Sequence, residues 1–103
     1  MKNNKRIYLS GKITNNDNYK QDFERAYIYC KNKFDYDIIN PSALINVLPN
    51  GTWNEYLDIC ISLLKISDSI FMINDWENSK GAILEYKTAK EIGIEIIFEE
   101  EIL

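Results

Sequence analysis

The chain has no histidine, and that single absence removes several chemistries together. Ser-His-Asp and Cys-His nucleophile systems need an imidazole as base, and His-based zinc sites need it as ligand. Any catalysis must run on carboxylates, hydroxyls, amines and backbone dipoles. Cysteine is scarce too: Cys30 and Cys60 are the only two, with no CxxC and no partner cluster. Both fall on the apolar faces of predicted helices, so they read as buried reduced thiols, with a disulfide or a metal pair as the alternative. No apolar run approaches the ~18 residues needed to cross a bilayer, and the short polar N-terminus lacks the core of a signal peptide. A cytoplasmic protein with no membrane partner is the expectation. Twelve Lys and Arg stand against 16 Asp and Glu, a net charge of -4. Without a basic surplus to neutralise phosphates, no broad nucleic-acid interface is expected, although a local positive pocket stays open. GxxxxGK[ST] is missing as well, so there is no Walker loop.

What remains is a globular composition, 46% hydrophobic with 13% aromatics over 103 residues. That length suits one domain, residues 1–103, with one core. Arg6–Ser10 (RIYLS) reads as a short buried strand stopped by Gly11. Residues 11–18 (GKITNNDN) form a polar loop with Asp17 and Asn18 as plausible helix caps. Phe23, Ala26, Tyr27, Cys30 and Phe34 recur at helical spacing and predict a helix from Tyr19 to about Lys33. Further strands are expected at 36–39 (YDII), 69–74 (SIFMIN) and 94–98 (IEIIF), with a loop over 40–50. Thr52 is a good N-cap for a helix from Trp53 to about Lys65. Gly93 is placed to end a helix that starts after Ser79. Glu99 to Glu101 then read as an acidic tail.

Strand and helix alternate throughout, and the strands are short and apolar on both faces. That pattern predicts right-handed βαβ crossovers and a parallel sheet covered by helices. The expected fold class is α/β, a three-layer Rossmann- or flavodoxin-like domain with about four strands in the order 2-1-3-4. Such sheets bind ligands beyond the carboxyl ends of their strands, near the switch point between strands one and three. The segments at that edge are 11–18, 40–50 and 75–81.

One helix carries an oddity. Gly81, Ala82, Leu84, Thr88, Ala89 and Ile92 share a small, apolar face, and Glu85 falls in its middle. An unpartnered buried carboxylate costs several kcal/mol, so Glu85 must be hydrogen-bonded, partly solvated or protonated. Either it is a functional carboxylate in a crevice kept shallow by Gly81 and Ala82, or it is satisfied by Tyr8 or a backbone amide. Ser79 has two readings also, as N-cap or as a phosphate ligand with the positive end of the helix. In Ser10-Gly11-Lys12 the glycine permits close approach and the lysine offers charge. Trp53 and Trp76 sit at element boundaries on the ligand side, where each could stack on a base or pack under a loop.

Together IYLSGKIT (7–14), INPSAL (39–44), TWNEYL (52–57) and SDSIFMINDWENSKGAILE (67–85) span nearly the whole chain. This series resembles the small, often phage- or prophage-encoded relatives of the nucleoside 2-deoxyribosyltransferases, grouped with the 2-deoxynucleoside 5-phosphate N-hydrolases. The resemblance implies N-glycosidic bond cleavage at a deoxyribose, by a Glu that attacks the anomeric carbon. Glu85 matches that nucleophile, and Tyr8 matches the tyrosine that orients it. Six residues before the Glu, the nucleoside transferases carry an Asp and the phosphate-preferring hydrolases a Ser; here it is Ser79. That favours a nucleoside monophosphate, with Gly11 and Lys12 on the phosphate side, because a carboxylate would repel the phosphate that a helix terminus attracts. No metal and no cofactor is implied. The relatives assemble so that a neighbouring subunit helps close each pocket, which implies a homo-oligomer, a dimer or larger.

One position departs from the family's pattern. Eight residues before the Asp that matches Asp68 the family places an acid that protonates the leaving base, and here that position is Cys60. Asp58 does not replace it, since it groups on the helical wheel with Asn54, Ser62 and Lys65 on the solvent side. Loss of a general acid costs about 10²–10⁴-fold in rate. Two functions follow as alternatives: a deoxynucleotide N-glycosidase, slow or acting on a base that leaves without much protonation, or a nucleotide-binding protein that sequesters or senses its ligand. A structural subunit with a vestigial pocket is a third.

Overall fold

The computed structural model describes residues 4–102. Four parallel strands, β1 (Arg6–Ser10), β2 (Asp37–Ile39), β3 (Ser69–Met72) and β4 (Glu95–Phe98), form one sheet in the order β2-β1-β3-β4. The helices are α1 (Tyr19–Lys33), α2 (Leu44–Val47), α3 (Trp53–Lys65) and α4 (Lys80–Ile92). The α/β class and the strand order are those expected.

The central strands β1 and β3 are buried on both faces, and their side chains alternate between two cores. Ile7 and Leu9 join Phe23, Ala26 and Cys30 of α1, with Phe71 and Ile73, on one face. Tyr8 joins Ile70, Met72, Leu64 of α3 and Ala82 and Ala89 of α4 on the other. This makes three layers, with α1 on one side of the sheet and α3 and α4 on the other. Register places Tyr8 between Ile39 and Ile70, and Ser10 beside Met72.

Local chemistry sets the helix ends. Thr52 and Glu55 form a capping box, each side chain accepting from the other's backbone amide. Gly93 closes α4 at φ 78°, a conformation that costs glycine little. At the start of α1, Asn18 is the cap residue but its side chain makes no capping bond. Asn16 organises that turn instead, accepting from the Asn18 amide at 3.0 Å.

Three expectations need correction. The strands are shorter at their ends than their apolar runs: β2 begins at Asp37 and β3 stops at Met72, although the Ile73 amide still bonds the Ser10 carbonyl at 2.8 Å. The 40–50 stretch is not an open loop, because Asn40 caps a 3₁₀ turn (Pro41–Ala43) that leads directly into α2. The acidic run is not wholly a solvated tail. Glu99 is buried and bonds the Arg25 guanidinium through both oxygens, at 2.9 and 3.0 Å, and the Asn74 amide at 2.8 Å.

Candidate active site

Tyr8 and Ser10 lie two positions apart on β1 and so point to the same face of the sheet. Helix α4 starts beyond the end of β3 and crosses that face, bringing Glu85 over both. The Tyr8 hydroxyl donates to Glu85 Oε2 at 2.5 Å and the Ser10 hydroxyl to Oε1 at 2.7 Å. All three side chains are buried, Glu85 at 6% exposure. Burial pushes the Glu85 carboxyl up to about 7, against the two hydroxyls, which favour its charged form. The Tyr8 phenol is raised well above its ordinary value, by burial first and then by Glu85 and Cys60. Cys60 faces the same cluster. Burial lifts its thiol to about 11, with Glu85 adding to the effect and the Tyr8 hydroxyl opposing it.

A cavity of about 470 Å³ opens beside this cluster, between the segments that follow β1, β2 and β3. Its size falls within the ~300–1,000 Å³ of small-molecule sites. Among the described residues the charged ones lining it are Lys12, Lys80 and Glu85, so Glu85 is the only carboxylate there beside two ammoniums. On a chain with net charge -4 this is a local reversal of sign.

Most of the expected residues meet here. Gly11 sits against the core: a Cβ there would come within 3.0 Å of Ile73 Cβ and 3.4 Å of Phe23 Cε1. The loop after it is tied down by Asn16, whose amide nitrogen donates to the Lys12 carbonyl at 2.8 Å and to Asp22 at 3.0 Å. Ser79 lines the cavity and also caps α4, accepting from the Ala82 amide at 3.1 Å. The cap uses its oxygen, which leaves its proton free to donate. The first amides of α4 have no acceptor within the helix. Gly81 leaves open space; a Cβ there would come no closer than 4.0 Å, to Trp53. The Trp53 ring is 41% exposed at the cavity wall, with the Lys80 ammonium 5.2 Å from its centre.

Trp76 does not belong to this group. Its ring packs on Tyr86 and Phe98, centroids 4.7 and 6.0 Å away, on the far side of α4 from the cavity. Of its two expected places, at a base or packed under a loop, the structure shows packing, with the 3₁₀ turn Trp76–Asn78 carrying the ring toward β4. Ile92, placed on the buried face by the helical wheel, is 42% exposed, since the last turn of α4 runs past the core. Asp58 is exposed, and Asp68 accepts from the Arg6 amide at 2.8 Å at the opposite edge of the sheet. Ser10 is the residue that sequence reasoning missed; the available signal was its two-residue offset from Tyr8.

Among the described residues, no three His, Cys, Asp or Glu side chains are grouped to hold a metal ion. No helix of the described residues is long and apolar enough to cross a membrane. No curated protein and no solved structure matches the chain. A family model does match, over residues 5–98, from the first strand to the last, and on that match the chain belongs to the DUF4406 family, a domain of unknown function.

Proposed function

We propose that the protein is a nucleotide N-glycosidase of the nucleoside 2-deoxyribosyltransferase type, acting on a 2-deoxynucleoside 5-monophosphate in the cytoplasm. The observation that carries this reading is Glu85: a buried carboxylate held by Tyr8 and Ser10 at the wall of a cavity whose other charges are lysines. A carboxylate nucleophile needs a fixed orientation and partial desolvation, and both are present. In the proposed reaction a Glu85 oxygen attacks the anomeric carbon as the bond to the base breaks, and water or a second base resolves the glycosyl ester. Tyr8 and Ser10 would hold the carboxylate during the attack. Lys12, Ser79 and the first amides of α4 would hold the phosphate, with Gly81 giving clearance; Gly11, packed against Ile73 and Phe23, would set the course of the loop that carries Lys12. Trp53 is the surface offered to the base.

Chromatography of the free base released from the common deoxynucleoside monophosphates tests the reading. Release should vanish in Glu85→Gln while a ligand-induced rise in melting temperature persists.

Cys60 favours a second reading, a protein that binds the nucleotide without turning it over, because no second carboxylate lines the cavity. A melting shift with no base release from the unmutated protein would select it.

The reading also carries a homo-oligomer. Ile13, Ile45 and Trp53 line the cavity and are 39%, 47% and 41% exposed, and nearby Val47 is 75% exposed. A partner subunit covering this rim would enclose the ligand. Sedimentation velocity should then give at least a dimer.

A further inference from the structure

A base leaving an anomeric carbon takes the bonding pair with it. A purine or pyrimidine that is neutral in the substrate departs as an anion unless a proton is supplied, and a positioned acid is worth about 10²–10⁴-fold. The groups around Glu85 are badly suited to that task. Glu85 is the only carboxylate in the lining. The hydroxyls of Tyr8 and Ser10 already donate to it, and the Tyr56 hydroxyl donates to the Leu48 carbonyl. The Cys60 thiol stands beside the cluster where it is held protonated, and a thiol so held is a weak proton donor. Lys12 and Lys80 are proton carriers, but an ammonium that gave up its proton would no longer hold a phosphate.

A cationic base needs no such proton. We infer that the substrate is a nucleotide whose base is a positively charged heterocycle, an N-pyridinium glycoside 5-phosphate or its chemical equivalent. The site as built suits that charge: the ring would approach Glu85 and stack on the exposed face of Trp53, taking the place of the Lys80 ammonium that lies 5.2 Å from it and would turn to the phosphate. The step balances without an acid. A Glu85 oxygen bonds to the anomeric carbon, the carbon–nitrogen bond breaks, and its electron pair stays on the ring nitrogen, which leaves neutral. Water then attacks the same carbon, Glu85 departs as carboxylate, and one proton passes to solvent per turnover. No oxidant, reductant or co-reactant other than water is required.

This inference rests on the N-glycosidase reading and narrows it, and one comparison separates the two. Nicotinamide 2-deoxyriboside 5-monophosphate and the four common deoxynucleoside monophosphates, which share its sugar and phosphate, are supplied to the unmutated protein and to Glu85→Gln, and released base is quantified. We expect kcat/KM for nicotinamide release at least 100-fold above that for any neutral base, and lost in Glu85→Gln. Neutral bases released as fast or faster, still dependent on Glu85, would overturn the cationic substrate and leave the glycosidase standing. Release of no base at all would overturn both. A second measurement uses Cys60→Asp, which supplies a carboxyl beside the cluster. Provided the variant melts cooperatively, it should narrow the ratio of nicotinamide to purine release at least tenfold. An unchanged ratio in the folded variant counts against the inference.

Discussion

The Ser10 hydroxyl donates to Glu85 Oε1 at 2.7 Å, joining positions 75 residues apart in the chain. Tyr8 holds the other oxygen, so both oxygens of the carboxylate are held. The same two bonds oppose the burial that pushes Glu85 up to about 7. Without them the group would stay protonated to higher pH, away from the anion that the proposed reaction needs.

Ser10→Ala should therefore move a pH profile. In the proposed reaction the attack requires the anion, so kcat/KM should rise with pH through the Glu85 titration. A hydrogen bond to a charged group contributes ~1.5–3 kcal/mol, which corresponds to about one to two pH units. Removing the Ser10 donor should shift the rising limb upward by about that much, and Ser10→Thr should restore it. A variant that merely melts lower, with the limb in place, would assign Ser10 to packing alone.

Glu85 should also burden the fold at high pH. Its folded value is raised from 4.5 to about 7 by burial, so the native state keeps a proton that the unfolded chain has lost. Stability should then fall as pH climbs from about 4.5 to about 7, and level off above. At ~1.4 kcal/mol per pH unit the loss is on the order of 3 kcal/mol. Glu85→Gln removes the titration but keeps hydrogen-bonding capacity. It should melt several degrees above the unmutated protein at pH 8, with the gap closing at pH 5. Parallel melting curves across that range would contradict the account.

Much of this was legible in the residues, for reasons that can be named. The parallel sheet follows from the alternation of short apolar strands with helices, and β1 and β3 come out buried on both faces as their composition requires. Thr52, Ser79 and Gly93 end their helices through interactions within a few residues, which a linear reading can find. Ser10 was hidden because its partner lies 75 residues away and its neighbours Gly11 and Lys12 mark a loop. Glu99 was hidden by Glu100 and Glu101, which made it look like part of a solvated tail, while its partner Arg25 sits on α1. Trp76 kept two readings, base or packing, because a boundary position does not say toward which side a 3₁₀ turn rotates the ring. Cys60 was placed correctly on the inner side of α3, where the structure sets its thiol beside Tyr8 and Glu85.

If the two lysines serve a phosphate, their removal should discriminate between ligands. Lys12→Met and Lys80→Met should each weaken a deoxynucleoside monophosphate about tenfold, near 1.4 kcal/mol. Binding of the matching unphosphorylated nucleoside should change by less than about twofold. Isothermal titration at two salt concentrations reads both effects, because a partly exposed ion pair is screened as salt rises. Equal losses for both ligands would place the lysines at the base or sugar instead.

The last relay runs from the sheet's end to the Lys12 loop. Asn74 and Arg25 hold Glu99, Arg25 also bonds Asp22 at 2.9 Å, and Asp22 holds Asn16, which donates to the Lys12 carbonyl. Arg25 is half exposed and adds little as a surface charge, but Glu99 is buried and would be left without its paired donors. Arg25→Met should therefore destabilise the domain by ~1–3 kcal/mol. At ~4–8 °C per kcal/mol for a domain of this size, melting should drop measurably. Adding Glu99→Gln should recover part of the loss, because the stranded charge is then gone; a double-mutant cycle extracts that coupling. Phosphate binding should weaken in Arg25→Met as well, since the loop that carries Lys12 loses its anchor on α1. If the two substitutions add without coupling, the Arg25–Glu99 pair is incidental to stability and the Lys12 loop is held by Asn16 alone.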